Sequence, residues 1–229
     1  MSKYIINIIF LLIFVQAFAQ QDTLQQTVDS LPKIKQPVKV RLGFDIGKYV
    51  WAQLNNSTSY DVYVDANFYK KYYLIFEAGV ENHLTESAFL NYSTEGTYFK
   101  IGVDYNLYQN WLDMDNDISV GFRYASSQFD YRLFSYRINQ PGAVFEPVVH
   151  DVNRSFENLS AQWIDFTAKI QAETFKHFYL GYALSVKYLL HYSHPDNFEV
   201  SYIPGFFERN AYSNFGFGMQ YFISYQLKF

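Results

Sequence analysis

Three aspartates at alternate positions, Asp113, Asp115 and Asp117 in the stretch DMDND, are spaced as the first oxygen ligands of a calcium-binding loop would be. The remainder of such a loop is absent. Its sixth position falls on Ile118, where a sharp turn needs glycine, and its twelfth on Tyr124, where a bidentate glutamate is needed. The sequence therefore puts these carboxylates in a solvated turn. The histidines are His83, His150, His177, His191 and His194. A hydrolase acting on lipid would need a serine–histidine pair held by an acid, and a protease of the Asp–His kind would need that pair in reach. His83 near Glu81 and Glu86, and His191 near His194 and Asp196, are the places where either could arise, and neither forms a motif. There is no cysteine, hence no thiolate nucleophile, no disulfide and no lipid anchor through a cysteine. Nothing in the sequence calls for a metal or a cofactor.

A larger set of charged residues is organised by parity rather than by motif. Asp45, Asp61, Asp65, Glu77, Lys100, Asp104, Arg123, Asp165, Lys169, Glu173 and Lys187, with Glu81 beside them, each lie one step from apolar or aromatic neighbours in segments that alternate with a period of two. A period of two is that of a β-strand with one greasy and one wet face. Were these strands to close on themselves, the charges would share one interior. They would have to pair there, because an unpaired buried charge is costly.

The elements that would position them recur along the chain. Alternation predicts strands at about 39–51, 58–68, 72–82, 96–107, from 118 onward, 160–173, 178–191, and a closing strand ending at Phe229. Each reaches the roughly 9–11 residues that a tilted membrane strand requires, and the count of eight is even. The connections after the second and sixth strands are short, that after the fourth is moderate, and those after the third, fifth and seventh are long. Residues 129–159 still alternate around the turn signal NQPG and are read as a hairpin prolonging strands five and six beyond the membrane, with a ten-stranded barrel as the alternative. No segment after the N-terminal run shows helical periodicity. The fold class expected is all-β: a transmembrane, antiparallel, up-and-down β-barrel of eight strands.

The ends of the chain agree with export. Residues 1–19 carry one lysine, an apolar run from Ile5 to Val15 and Ala17-Phe18-Ala19, the pattern of a signal peptide cleaved after Ala19. Residues 20–37 are polar, contain two prolines and read as a flexible periplasmic linker ahead of a barrel at 38–229. Within the linker, Asp22-Thr23-Leu24 and Asp29-Ser30-Leu31 match a short acceptor pattern for O-glycosylation, at Thr23 and Ser30. The net charge of −4 argues against a nucleic-acid partner. Aromatic residues make up 21% of the chain, with 22 Tyr and 23 Phe, a composition suited to a surface that meets both lipid and water.

The closing stretch YFISYQLKF places Tyr221, Ile223, Tyr225, Leu227 and Phe229 on one face. It resembles the terminal assembly signal of Gram-negative outer-membrane barrels, which implies recognition by the barrel-assembly machinery. The stretches YFKIGVDYNLYQNWLDMDN (98–116) and PDNFEVSYIPGF (195–206), followed by this closing strand, make the chain resemble a family of Gram-negative outer-membrane β-barrels described only as a domain of unknown function. That resemblance implies location in the outer membrane and contact with its lipid, and it brings no catalytic residue. The function expected is that of an envelope structural or interaction protein working through outer loops at about 131–158 and 192–211. A lipid- or peptide-processing enzyme and a narrow channel are the rivals.

Overall fold

A computed structural model describes residues 38–55, 57–110, 115–137, 149–195 and 198–228. The signal segment, the linker with Thr23 and Ser30, Asp113, and Phe229 lie outside the described residues. Ten strands and one helix follow in order: β1 (Lys39–Asp45), α1 (Ile46–Leu54), β2 (Thr58–Tyr69), β3 (Tyr72–Glu86), β4 (Leu90–Asn106), β5 (Asp117–Arg137), β6 (Val149–Phe175), β7 (Phe178–Tyr192), β8 (Tyr202–Ile203), β9 (Phe207–Glu208) and β10 (Phe215–Lys228). Eight of the strands close a barrel in the order β1-β10-β7-β6-β5-β4-β3-β2, and every neighbouring pair is antiparallel. The chain is thus an eight-stranded, up-and-down barrel. The ten-stranded alternative fails because the described parts of 129–159 continue β5 and β6 and pair with each other instead of adding two strands to the ring; β8 and β9 form a separate two-stranded sheet.

The wall is inverted relative to a water-soluble protein. Phe166 leaves 58% of its surface exposed while its neighbour Asp165 leaves none. The same contrast runs round the ring through Leu74, Phe76, Phe99, Ile101, Phe122, Ile170 and Leu184, all turned outward. A continuous apolar girdle of this kind needs lipid against it, and closure leaves no sheet edge along most of the wall, as a bilayer demands. Inside, large rings lie over glycines of the next strand. Tyr63 covers Gly43 and Phe222 covers Gly181, and the two rings meet edge to face at 5.1 Å. A Cβ on Gly43 would come within 1.9 Å of the Tyr63 ring, so glycine is required there.

The two ends differ. At one end the chain turns tightly at Lys70-Lys71 and Lys176-His177, with Lys70 and His177 in the left-handed region. At the other, β5 and β6 rise to 21 and 27 residues, so the hairpin expected to prolong strands five and six is present. Two expectations are corrected at this tall end. Strand four begins at Leu90, not 96, so its link to β3 is three residues long. The ladder continues above the girdle, where Asn91, Ser93 and Glu95 on one face and Thr94 on the other interrupt the apolar alternation from which a strand is read. Strand one stops at Asp45 and the chain becomes α1. The Asp45 carboxylate accepts from the Lys48 backbone N–H at 3.0 Å, an N-cap that satisfies one of the free donors of the first turn.

β1 is therefore seven residues long and pairs with β10 only over 222–228 and with β2 only over 62–66. Over the upper half of the wall no strand stands between β2 and β10, and α1 fills the place. Nine residues make a helix roughly 14 Å long, and its width with side chains is close to the two strand spacings it spans. Val50 and Leu54 point outward, Ala52 and Lys48 point inward, and Trp51, half exposed, stacks on the His83 ring.

The filled bore as candidate functional site

From the short-turn end upward, the interior is a stack of ion pairs. Lys39 pairs with Asp115 at 2.7 Å, and Tyr179 donates its hydroxyl to the same carboxylate at 3.0 Å. Asp115 lies in the β4–β5 turn. Burial alone would push it up, but the bond and charge of Lys39, helped by Tyr179 and Gln226, hold it below the usual carboxylate range. Above it Arg41 bridges Asp65 at 2.6 Å and Asp117 at 3.0 Å. Lys169 joins Asp65 at 3.3 Å to Asp104 at 2.9 Å. Arg123 links Asp104 to Glu77, and Lys100 links Glu77 at 3.3 Å to Asp165 at 3.1 Å. Each bridging cation touches two carboxylates donated by different strands, so the network ties the wall across its diameter.

At the top of the stack Lys48 enters from α1. Its ammonium meets Asp61 at 2.7 Å and Glu81, donates to the Tyr98 hydroxyl at 2.8 Å, and lies 4.5 Å from the centre of the Tyr98 ring. Glu81 also holds the segment between β7 and β10. It accepts from the Tyr202 hydroxyl at 2.7 Å and from the Gly205 N–H at 3.0 Å. That segment folds down into the mouth as a plug. Val200, Ile203 and Phe206 are wholly inaccessible, and Phe206 meets Trp163 edge to face at 5.8 Å. Gly205 turns the hairpin with φ +80°, and Phe207 follows at φ 78°, a strained value for a bulky residue. The Phe207 ring lies 3.9 Å below the Lys187 ammonium and 4.9 Å from that of Lys48, contacts that offset the strain.

Of the residues expected to share the interior, Asp65, Glu77, Lys100, Asp104, Arg123, Asp165 and Lys169 are brought into one network of ion pairs, while Asp61 and Glu81 meet Lys48 in a separate cluster above it. Lys187 stands apart: it donates to the carbonyls of Gly205 at 2.7 Å and Phe206 at 3.3 Å instead of to an acid. Asp45 is buried but serves as the helix cap, and among the described residues no cation pairs with it. Glu173 sits at the β6–β7 turn, where it accepts from the His177 N–H at 2.8 Å and does not join the stack. Arg41 and Asp117 belong to the network, Lys48 centres the cluster above it, and none of the three was singled out for the interior. On the closing strand Tyr221, Ile223 and Tyr225 face outward, and Leu227 pairs with Val40 of β1.

Among the described residues the histidines form no serine–histidine–acid or Asp–His cluster. His83 Nε2 is 3.0 Å from the Thr85 hydroxyl, but its ring lies flat between Tyr202 at 3.9 Å and Trp51 at 5.9 Å, and its Nδ1 has no partner. His194 lies against the Tyr192 ring, and the nearby Ser193 hydroxyl is taken by Ser160. Among the described residues no group of three acidic, histidine or cysteine side chains could hold a metal ion. Asp115 and Asp117, the two described aspartates of DMDND, are both engaged by cations.

No curated protein matches the sequence. Among solved structures the chain is similar to Ail, the attachment invasion locus protein of Yersinia pestis, at 7% identity and a TM-score of 0.39, with 85% of this chain and 100% of that chain covered. The family described as Domain of unknown function (DUF6048) matches residues 1–229. The protein belongs to the DUF6048 family, and its fold is a closed eight-stranded transmembrane barrel.

Proposed function

We propose that this protein is an exported outer-membrane barrel that conducts nothing and serves as a rigid anchor, presenting the β5–β6 hairpin outside the cell as an interaction surface. The observation that carries this reading is the filling of the bore: ion-paired layers below and an aromatic plug above. Eight strands leave room for side chains and little more, and here that room is taken. The plug buries Val200 and residues 202–206 of the 192–211 segment, so the larger exposed candidate is the upper part of β6, where Val149, Val152 and Arg154 are open to solvent.

Short turns on the periplasmic side and the tall end outside follow the usual asymmetry of such barrels. In this reading the residue 1–19 segment directs export and is cleaved after Ala19. The 20–37 linker stays in the periplasm, with Thr23 and Ser30 as O-glycosylation sites. Tyr221, Ile223, Tyr225, Leu227 and Phe229 are read by the barrel-assembly machinery. Planar-bilayer recording of the purified protein should show no conductance steps, and protease added to intact cells should cut within the β5–β6 hairpin. Stable steps would instead favour the channel, and cleavage confined to 20–37 would reverse the orientation.

A further inference from the structure

The Lys48 ammonium sits in surroundings fit for a ligand. Two carboxylates, Asp61 and Glu81, form ion pairs with it, the Tyr98 hydroxyl accepts a hydrogen bond from it, and the rings of Tyr98 and Phe207 flank it. Beside it is a cavity of about 20 Å³ lined in part by Asp45, Asp61 and Tyr98. Asp45 is 3% exposed, and its Oδ2 has no hydrogen-bond partner. This is the chemistry that recognises a primary ammonium: acids and a phenol accept its N–H groups while aromatic faces stabilise its charge.

The lysine reaches this cage from outside the strand framework. It is carried by α1, the one element of the described wall that makes no β-ladder, standing where β10 over 215–221 and β2 over 58–61 have no strand between them. An open sheet edge is not tolerated against hydrocarbon, so the gap must be covered by α1 or by something that replaces it. The gap faces the membrane, and Phe217, Met219 and Tyr60 flank it on the lipid side.

We propose that the Lys48 cage is an ammonium-binding subsite which α1 fills with the chain's own lysine, and that movement of α1 out of the wall gap admits the headgroup of an amine-bearing lipid in its place. The lipid enters from the leaflet that borders the tall end, its acyl chains remaining outside the wall. A quaternary headgroup is rejected because it has no N–H to give Asp61 and Tyr98. The proposal rests on the reading that the barrel stands in a bilayer, which heat-modifiable migration of the same sample checks separately.

The chain has no cysteine, so a pair can be introduced cleanly. A Cβ on Gly47 would lie 2.9 Å from that of Tyr221, closer than the roughly 3.5–4.5 Å of a disulfide, so Gly47→Cys/Tyr221→Cys locks α1 to β10 once the two move apart by about 1 Å. The full chain is placed in nanodiscs of phosphatidylethanolamine and phosphatidylcholine, and the lipid retained is identified by native mass spectrometry. The wild type and the reduced pair should retain phosphatidylethanolamine over phosphatidylcholine by roughly tenfold, the worth of one hydrogen bond to a charged group. Oxidation should abolish the preference and reduction restore it. Equal preference in the locked and open forms would overturn the proposal. Should the pair not insert, Lys48→Met decides: it removes the resident ammonium and should raise phosphatidylethanolamine retention, and unchanged retention overturns the idea. In phosphatidylcholine alone, ethylammonium should bind the reduced form only. Equal binding to the oxidised form would mean entry through the mouth and would overturn the lateral route.

Discussion

Glu81→Gln tests the junction of helix, wall and plug with a change of a single atom type. The side chain is 2% exposed, and all its neighbours are donors: the Lys48 ammonium, the Tyr202 hydroxyl at 2.7 Å and the Gly205 N–H at 3.0 Å. A glutamine keeps one oxygen but turns an NH₂ toward a donor, so at least one charge-assisted bond is lost and one buried donor is left unmet. Bonds to charged groups contribute about 1.5–3 kcal/mol, and stripping one partner from a buried pair costs about 3–5 kcal/mol. Lys48 keeps Asp61 at 2.7 Å, which brings the expectation down to about 2–4 kcal/mol. Because the lost contacts belong to α1 and the plug and not to the ladders, the plug should open first, its open population rising roughly 30- to 700-fold. Limited proteolysis of the folded protein in micelles should cut within 198–210 far faster than in the wild type, ahead of any shift in heat-modifiable migration. Glu95→Gln, on the exposed face of β4, is the control. If Glu81→Gln and Glu95→Gln are equally protected, Glu81 does not hold the plug and the argument fails.

Val103→Arg and Val186→Arg each set a cation against lipid near mid-depth, at a cost of about 2–4 kcal/mol, and should reduce the heat-modifiable fraction; wild-type levels would place those faces elsewhere. Lys39→Met removes the partner that lowers Asp115. A carboxylate held below its unfolded value contributes stability above that unfolded value and loses it as the pH falls through the folded one. The wild type should therefore exceed the variant in unfolding midpoint at neutral pH, by about 1 kcal/mol or less for so exposed a pair, and the two should converge in acid. A constant difference down to pH 2 would deny the linkage. Removing Phe229 should lower the membrane-inserted yield while leaving the unfolding midpoint of the inserted protein within about 1.5–3 kcal/mol, the most that one buried ring supplies. A normal yield with a lowered midpoint would make it a packing residue.

The strand count, the lipid face and most of the ion-paired interior were legible because a single period of two encodes all three. What parity could not show were the places where the chain leaves the ladder. Ile46 and Val50 continue the alternation of strand one, so α1 was hidden. Its signals were Asp45, a good N-cap, and Lys48, which a continuing strand would have aimed into lipid. The plug was hidden for a different reason. The stretch VSYIPGFF is apolar without alternating, and a connection's sequence does not say whether it stands above a barrel or folds into it. Parity also misjudges Gly102. It faces the bore, where a serine would look harmless, yet a Cβ there would meet the Phe122 carbonyl oxygen at 2.2 Å. Glu173 has the interior parity but lies at the last turn, where the interior ends.

The barrel is also mechanically lopsided. In the ring of eight, β5 stands diametrically opposite β1. The tall β5 is thus among the strands farthest from the seam where first and last strands meet, with β6 one place nearer, and that seam rests on only the seven residues of β1. Hydrogen bonds in antiparallel ladders lie across the strands. A pull on the tall hairpin draws β5 and β6 together and loads the long β4–β5 and β6–β7 ladders along their length, many bonds at once. A pull on the N-terminal side of β1 instead peels a short ladder bond by bond, and α1 comes away with it. Tension applied at the rim should leave the ring intact, whereas the same tension applied through the segment preceding Val38 should unzip it, so the molecule would behave as a fuse with a preferred point of failure.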